Sequence, residues 1–106
     1  MVTKTPQALY KYTVNSSNLS EQIAMSPHEV VAVIVTGGSG GAAVRIYDST
    51  DGANEPSPSI DSFLVAANGG ESTAFCPAQA IPMFRGIYIE LEQGGSSNGE
   101  ATILYN

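Results

Sequence analysis

Tryptophan is absent from this sequence, cysteine and histidine occur once each, and only four residues are basic. The lone Cys76 excludes an internal disulfide and a cysteine-rich metal site. Followed by Pro77 at the end of an apolar run, it reads as a small buried hydrophobe, since a thiolate nucleophile needs a cationic or histidine neighbour to activate it. His28, between Pro27 and Glu29, cannot build a zinc site without carboxylates gathered by the fold, and reads as a capping or surface residue. Lys4, Lys11, Arg45 and Arg85 stand against ten acids for a net charge of −6. No basic stripe exists to displace counterions from a phosphate backbone, so nucleic acid is not an expected partner. Long apolar runs are missing too. A spanning helix needs roughly 20 such residues, and no basic amphipathic helix is visible, so a membrane is not an expected partner either. Residues 1–6 lead into no apolar core of a signal peptide, which predicts synthesis in a cytoplasm.

Charge of either sign is scarce. Charged residues make up 13% of the chain, against roughly 25% in ordinary soluble domains. The surface must therefore be built largely from Ser, Thr, Asn, Gly and Gln, a composition common in β-rich proteins that pack side by side and shared by solitary β-sandwiches. The 106 residues suffice for one core and one domain.

What the sequence has is alternation punctuated by glycine. Val30, Val31, Val33, Ile34 and Val35 form a β-branched run too short for a stable helix, ending at the glycine-rich residues 37–41. Beyond them Val44 and Ile46 alternate with Arg45 and Tyr47, which predicts a hairpin of two strands. Ile87, Ile89 and Leu91 alternate with Tyr88, Glu90 and Glu92. The Gly- and Ser-rich residues 94–99 then lead into residues 101–105, predicting a second hairpin. Residues 60–67 and 72–76 read as strands joined by the turn Asn68-Gly69-Gly70. Residues 8–14 alternate Leu9, Lys11 and Thr13 against Tyr10, Tyr12 and Val14 as a first strand. Residues 20–25 have the length of one helical turn, stopped by Pro27. The expected fold is all-β, a small antiparallel β-sandwich or jelly roll of about seven short strands. Residues 1–28 form an N-terminal arm that can supply an edge strand, and residues 29–106 form the sandwich domain. The expected core comprises Val30 to Val35, Val44, Ile46, Ile60, Phe63 or Leu64, Phe75, Ile87, Ile89, Leu91, and Ile103 or Leu104.

No motif carries catalytic chemistry, and the chain is not expected to be an enzyme. Residues 37–41 satisfy G-x-S-x-G, but the nucleophile elbow needs a following helix and a downstream histidine, whereas here a strand follows and His28 lies upstream. Glu90, Glu92 and Glu100 are expected to share one face of the second hairpin. They lack the alternation of oxygen ligands that calcium requires and the aromatic cleft that a glycosidase requires, so neither cofactor nor metal is expected. Tyrosine and arginine are enriched at protein interfaces. Tyr10, Tyr12, Arg45, Tyr47, Arg85 and Tyr88 are therefore the candidate interface residues, the alternative being that some tyrosines finish the core with the hydroxyl at the surface.

The Val-rich strand, the glycine loop into Ala43-Val44-Arg45-Ile46-Tyr47-Asp48-Ser49, and Phe84-Arg85-Gly86-Ile87-Tyr88-Ile89 followed by a Gly-Ser loop and Ala101-Thr102-Ile103-Leu104-Tyr105 give the chain its likeness. Over residues 29–106 it resembles the small β-sandwich virion proteins of tailed bacteriophages. The resemblance implies a capsid decoration or cement protein, located in the virion after synthesis in the host cytoplasm. Its implied partners are the major capsid protein or neighbouring virion proteins, with self-association into a homo-oligomer. A neck or tail component, or a carbohydrate- or receptor-binding module, is the alternative. It also implies that the N-terminal arm pairs with neighbours, so that removing residues 1–14 weakens assembly and leaves the sandwich folded.

Overall fold

A computed structural model describes residues 8–54, 61–93 and 98–106. They form nine strands and one 3-10 turn: β1 Tyr10–Asn15, β2 Ser20–Ala24, β3 His28–Thr36, β4 Ala42–Asp48, the turn Gly52–Asn54, β5 Asp61–Ala67, β6 Ser72–Phe75, β7 Ile81–Met83, β8 Ile87–Gln93 and β9 Glu100–Tyr105. All strand pairings are antiparallel, and the strands stack as two sheets. One sheet runs β1-β9-β3-β6, with β7 in line with β6 along the same side of β3; the other runs β2-β8-β4-β5. Counting β6 and β7 as one interrupted strand, the antiparallel pairs β1·β9, β2·β8, β3·β6/β7 and β4·β5 are those of a jelly roll, a ribbon of paired strands rolled into two facing sheets.

The nine strands exceed the seven expected, for two reasons. Residues 20–25 are strand rather than helix, because Ile23 and Ala24 turn inward against β8, with a bulge between Gln22 and Ala24. The stretch after residue 72 divides into two short strands separated by residues 76–80.

The predicted hairpins are corrected more deeply. β3 and β4 lie in different sheets, as do β5 and β6, and β8 and β9. The glycine-rich loops at residues 37–41 and 68–70 are arches carrying the chain across the sandwich, where stacked sheets are ~10 Å apart. Two arches lock together at one end. The Gly70 N–H donates to the Gly38 carbonyl at 2.6 Å and the Gly37 N–H to the Glu71 carbonyl at 2.8 Å. A Cβ on Gly37 would collide with the Asn68 carbonyl, so glycine here permits a backbone-on-backbone contact as well as a turn. The same arrangement separates the carboxylates expected on one face: Glu90 and Glu92 lie on β8, and Glu100 on β9 in the facing sheet.

The alternating apolar positions meet between the sheets. Val14, Val30, Val33, Val35, Ala101, Ile103 and Met83 come from one layer, and Ala24, Val44, Ile46, Val65, Ile87, Ile89 and Leu91 from the other. Val30 and Val33 both point inward although three residues apart, because a bulge between Val30 and Ala32 resets the alternation. Of the paired alternatives, Phe63 packs on the core while Leu64 is exposed, and Ile103 is buried. Ile34 and Phe75 are exposed rather than core, and Ile60 lies outside the described residues. Cys76 is exposed rather than buried, because it begins the segment that leaves the sheet after β6.

Candidate functional site

All three phenylalanines of the chain gather at one open side of the sandwich. The side is open because the edge of the first sheet is broken. β6 has four residues and β7 three, so the layer above β5 is incomplete. A half-open cleft of about 380 Å³ results, bordered by β5 (Phe63, Leu64, Val65), by Phe75 of β6, by β7 (Ile81, Pro82, Met83) and by Phe84 beyond it. The Phe63 and Phe75 rings meet across the two sheets with centroids 5.8 Å apart. Phe84 is 72% exposed and Leu64 49%. Water therefore covers large apolar surface at this corner, the kind of patch that marks an interaction site. Asp48 and Asp61 supply its acidic groups.

Asp48 holds the cleft's lip in place. Its carboxylate is buried and accepts three backbone N–H groups, from Phe84 at 3.0 Å, Arg85 at 2.7 Å and Gly86 at 3.3 Å. These charge-assisted bonds tie the turn between β7 and β8 to the end of β4 and fix the direction in which Phe84 leaves the sheet. Gly86 is required at this crossing, since a Cβ there would strike the carbonyls of Ala24 and Ser49.

Gln22 secures the same end from below. Its Nε2 lies 2.6 Å from the Ser49 carbonyl, 2.9 Å from that of Ala24 and 3.1 Å from that of Ile87, while its Oε1 accepts the Gly52 N–H at 2.9 Å. One side chain thus satisfies carbonyls left by the β2 bulge and anchors the segment after β4.

The six candidate interface residues are distributed over three places. Arg45, Tyr47 and Tyr88 share the outer face of the second sheet, where Tyr47 and Tyr88 are opposite each other in register with rings 5.6 Å apart. Tyr47 Oη donates to Glu90 Oε1 at 3.2 Å, and Arg45 Nη1 to Ser62 Oγ at 3.4 Å. Tyr10 and Tyr12 belong to β1. Tyr10 is exposed and stacks on Tyr105, with His28 edge-on to both. Tyr12 packs against the core and its hydroxyl accepts from Asn18 Nδ2 at 3.0 Å. Arg85 sits in the turn held by Asp48. None of the six borders the cleft. The reading by residue type favoured tyrosine and arginine and passed over phenylalanine. The confinement of all three phenylalanines to residues 63–84 was the available signal.

Burial, and then the neighbouring Glu90 carboxylate, push the Tyr47 phenol above its ordinary value of 10.0. Tyr105 is raised by burial and then by Tyr10 and Tyr12. A phenol whose folded pKa lies above its unfolded one contributes stability that is complete below the unfolded value and is lost as pH rises through the folded value. Stability is therefore expected to fall above pH 10, and Tyr47→Phe is expected to reduce that slope without abolishing it, because Tyr105 remains. Urea unfolding between pH 8 and pH 11 tests this; equal slopes for the two proteins would exclude a role for Tyr47.

Compared with known proteins, the chain matches no family model, no curated protein and no solved structure.

Proposed function

We propose that this chain is a structural protein working through protein–protein contacts, of the capsid decoration or cement kind found in tailed-phage virions. The observation that carries the proposal is the apolar corner built from Phe63, Leu64, Phe75 and Phe84 beside the open edge of β5. Exposed aromatic and aliphatic side chains grouped at one corner supply the anchors of a protein–protein contact. The net charge of −6 suits a basic receiving surface. Jelly rolls occur in viral capsid and lectin domains, an analogy of fold that agrees with the reading and carries none of it alone. Repeated over a shell, a contact of modest strength acts multivalently and can brace junctions between subunits.

Co-production with the major capsid protein encoded in the same phage genome tests the proposal. The chain is expected to sediment with assembled shells at fixed stoichiometry and to raise the temperature at which they come apart. Phe84→Ser is expected to weaken that association while leaving the circular dichroism spectrum unchanged. A chain that stays at the top of the gradient overturns the capsid reading. Binding to a glycan array by that same chain would support the carbohydrate-module alternative in its place.

A further inference from the structure

Four strands end the two sheets, and three of them carry features that discourage pairing with another chain. β1 presents Lys11, β2 is short, bulged and carries Glu21, and the β6/β7 edge is interrupted and contains Pro82. Charges, bulges, proline and brevity are the usual ways in which natural sheets blunt their edges. β5 is the longest of the four, with neither bulge nor proline. Its seven residues, Asp-Ser-Phe-Leu-Val-Ala-Ala, pair with β4 without a register shift, contain no lysine or proline, and carry one charge, at the first position. Among the described residues, no strand pairs with its other side.

We propose that β5 pairs antiparallel with β5 of a second copy of this chain, about a two-fold axis through Leu64. The sequence selects both partner and register. Directly opposite residues in an antiparallel pair share a sheet face. Phe63, Val65 and Ala67 face the sandwich interior, while Ser62, Leu64 and Ala66 register with the outward residues Tyr47, Arg45 and Ala43 of β4. Two-fold pairings that keep the faces matched must therefore centre on a residue. Only the centre at Leu64 pairs all seven positions, and each residue of shift loses two. In this register Leu64 meets Leu64, Phe63 meets Val65 and Ser62 meets Ala66 of the other copy. Asp61 meets Ala67, and the two Asp61 carboxylates stand about 20 Å apart along the strands, six steps at ~3.4 Å each. No like charges face each other, although each copy has a net charge of −6. The two four-stranded sheets join into one of eight strands. Phe84 lies outside the paired strands and remains exposed for the shell contact.

The inference deepens the self-association within the proposed function but does not need a capsid. Because each copy is acidic, screening between them weakens as salt falls, so salt is expected to strengthen the dimer. Binding to a basic partner would respond in the opposite sense.

Cysteine cross-linking reads the register directly in a Cys76→Ser background. Leu64→Cys is expected to give a covalent dimer on mild oxidation. Neither Ser62→Cys nor Ala66→Cys alone is expected to cross-link, whereas an equimolar mixture of the two does, because opposed positions bring Cα atoms within disulfide reach. Light scattering on the unmodified chain is expected to show a dimer of the 11.0 kDa protein. Leu64→Lys, which sets two ammonium groups opposite each other, is expected to raise the dissociation constant at least about tenfold while the chain stays folded. A monomer at all concentrations and salt levels overturns the proposal, as does cross-linking that is equal at positions 62, 64 and 66. A monomer that still sediments with shells would remove the dimer and leave the decoration reading intact. A dimer that ignores shells would do the reverse.

Discussion

Asp48→Ala is expected to destabilise the protein by about 4 kcal/mol, among the largest effects available to any single polar side chain in this fold. Asp48 is 4% exposed, and its carboxylate accepts the N–H groups of Phe84, Arg85 and Gly86. Removing it deletes charge-assisted bonds, and each buried donor left unsatisfied costs roughly 1–3 kcal/mol. Partial access of water to the turn brings the sum below three such penalties. For a domain whose total stability is of order 5–15 kcal/mol, the loss is a large fraction, and the midpoint of thermal unfolding is expected to fall by roughly 15–25 °C. Asp48→Asn is expected to lie between the two proteins. Its carbonyl oxygen can still accept from Arg85 and Gly86, but its amide then meets the Phe84 N–H donor to donor. Thermal melts of the three proteins check the order. A loss under about 1 kcal/mol for the alanine variant would show that solvent replaces the carboxylate, and the cleft's lip would then need another anchor.

The sequence made the faces of the strands legible but not their partners. Val44 and Ile46 against Arg45 and Tyr47, and Ile87, Ile89 and Leu91 against Tyr88 and Glu90, divide between core and surface as a period of two requires. Alternation fixes which side of a strand is buried and is silent on which strand lies beside it. A five-residue glycine loop can close a hairpin or bridge two sheets, and local sequence does not distinguish them. The choice is made by contacts distant in sequence, such as the Gly37 N–H donating to the Glu71 carbonyl and the packing of Gly99 against Ala42. The β3 bulge is equally non-local: it appears only when β9 is laid beside Val30 and Ala32.

The candidate site was less legible than the core for the same reason. The cleft is assembled from β5, β6, β7 and the turn after them, and it exists because β6 and β7 stop short, a property of sheet completeness with no residue signature. In the sequence Asp48 only ends the alternating run from Ala43. Its role became visible once the turn at residues 84–86 stood beside it. Exposure of Phe84 and Leu64 likewise depends on what fails to cover them.

The N-terminal segment gives the second large effect, and here two truncations are expected to part company. A chain beginning at residue 8 retains the full β1 ladder and is expected to melt within a few degrees of the parent. A chain beginning at residue 16 loses β1, and it is expected not to fold. Val14 is fully buried and Tyr12 packs on the core, and burying side chains of this size contributes ~1.5–3 kcal/mol each. Six paired positions with β9 go as well, from Tyr10↔Tyr105 to Asn15↔Glu100, each ladder hydrogen bond contributing about 1 kcal/mol net. Ala101 and Ile103, now 2% exposed, would be left at an unprotected edge. Together these losses come to about 9–12 kcal/mol, comparable to the whole stability of about 5–15 kcal/mol of a domain this size. Removal of residues 1–14 therefore cannot serve as a probe of assembly alone, because it takes Val14 and most of an edge strand with it. The cut at residue 8 can. If that shorter deletion leaves folding unchanged but lowers co-sedimentation with shells, residues 1–7 take part in the contact. If the residue-16 chain shows a cooperative melt near that of the parent, β1 is dispensable and the jelly roll is held by its inner strands.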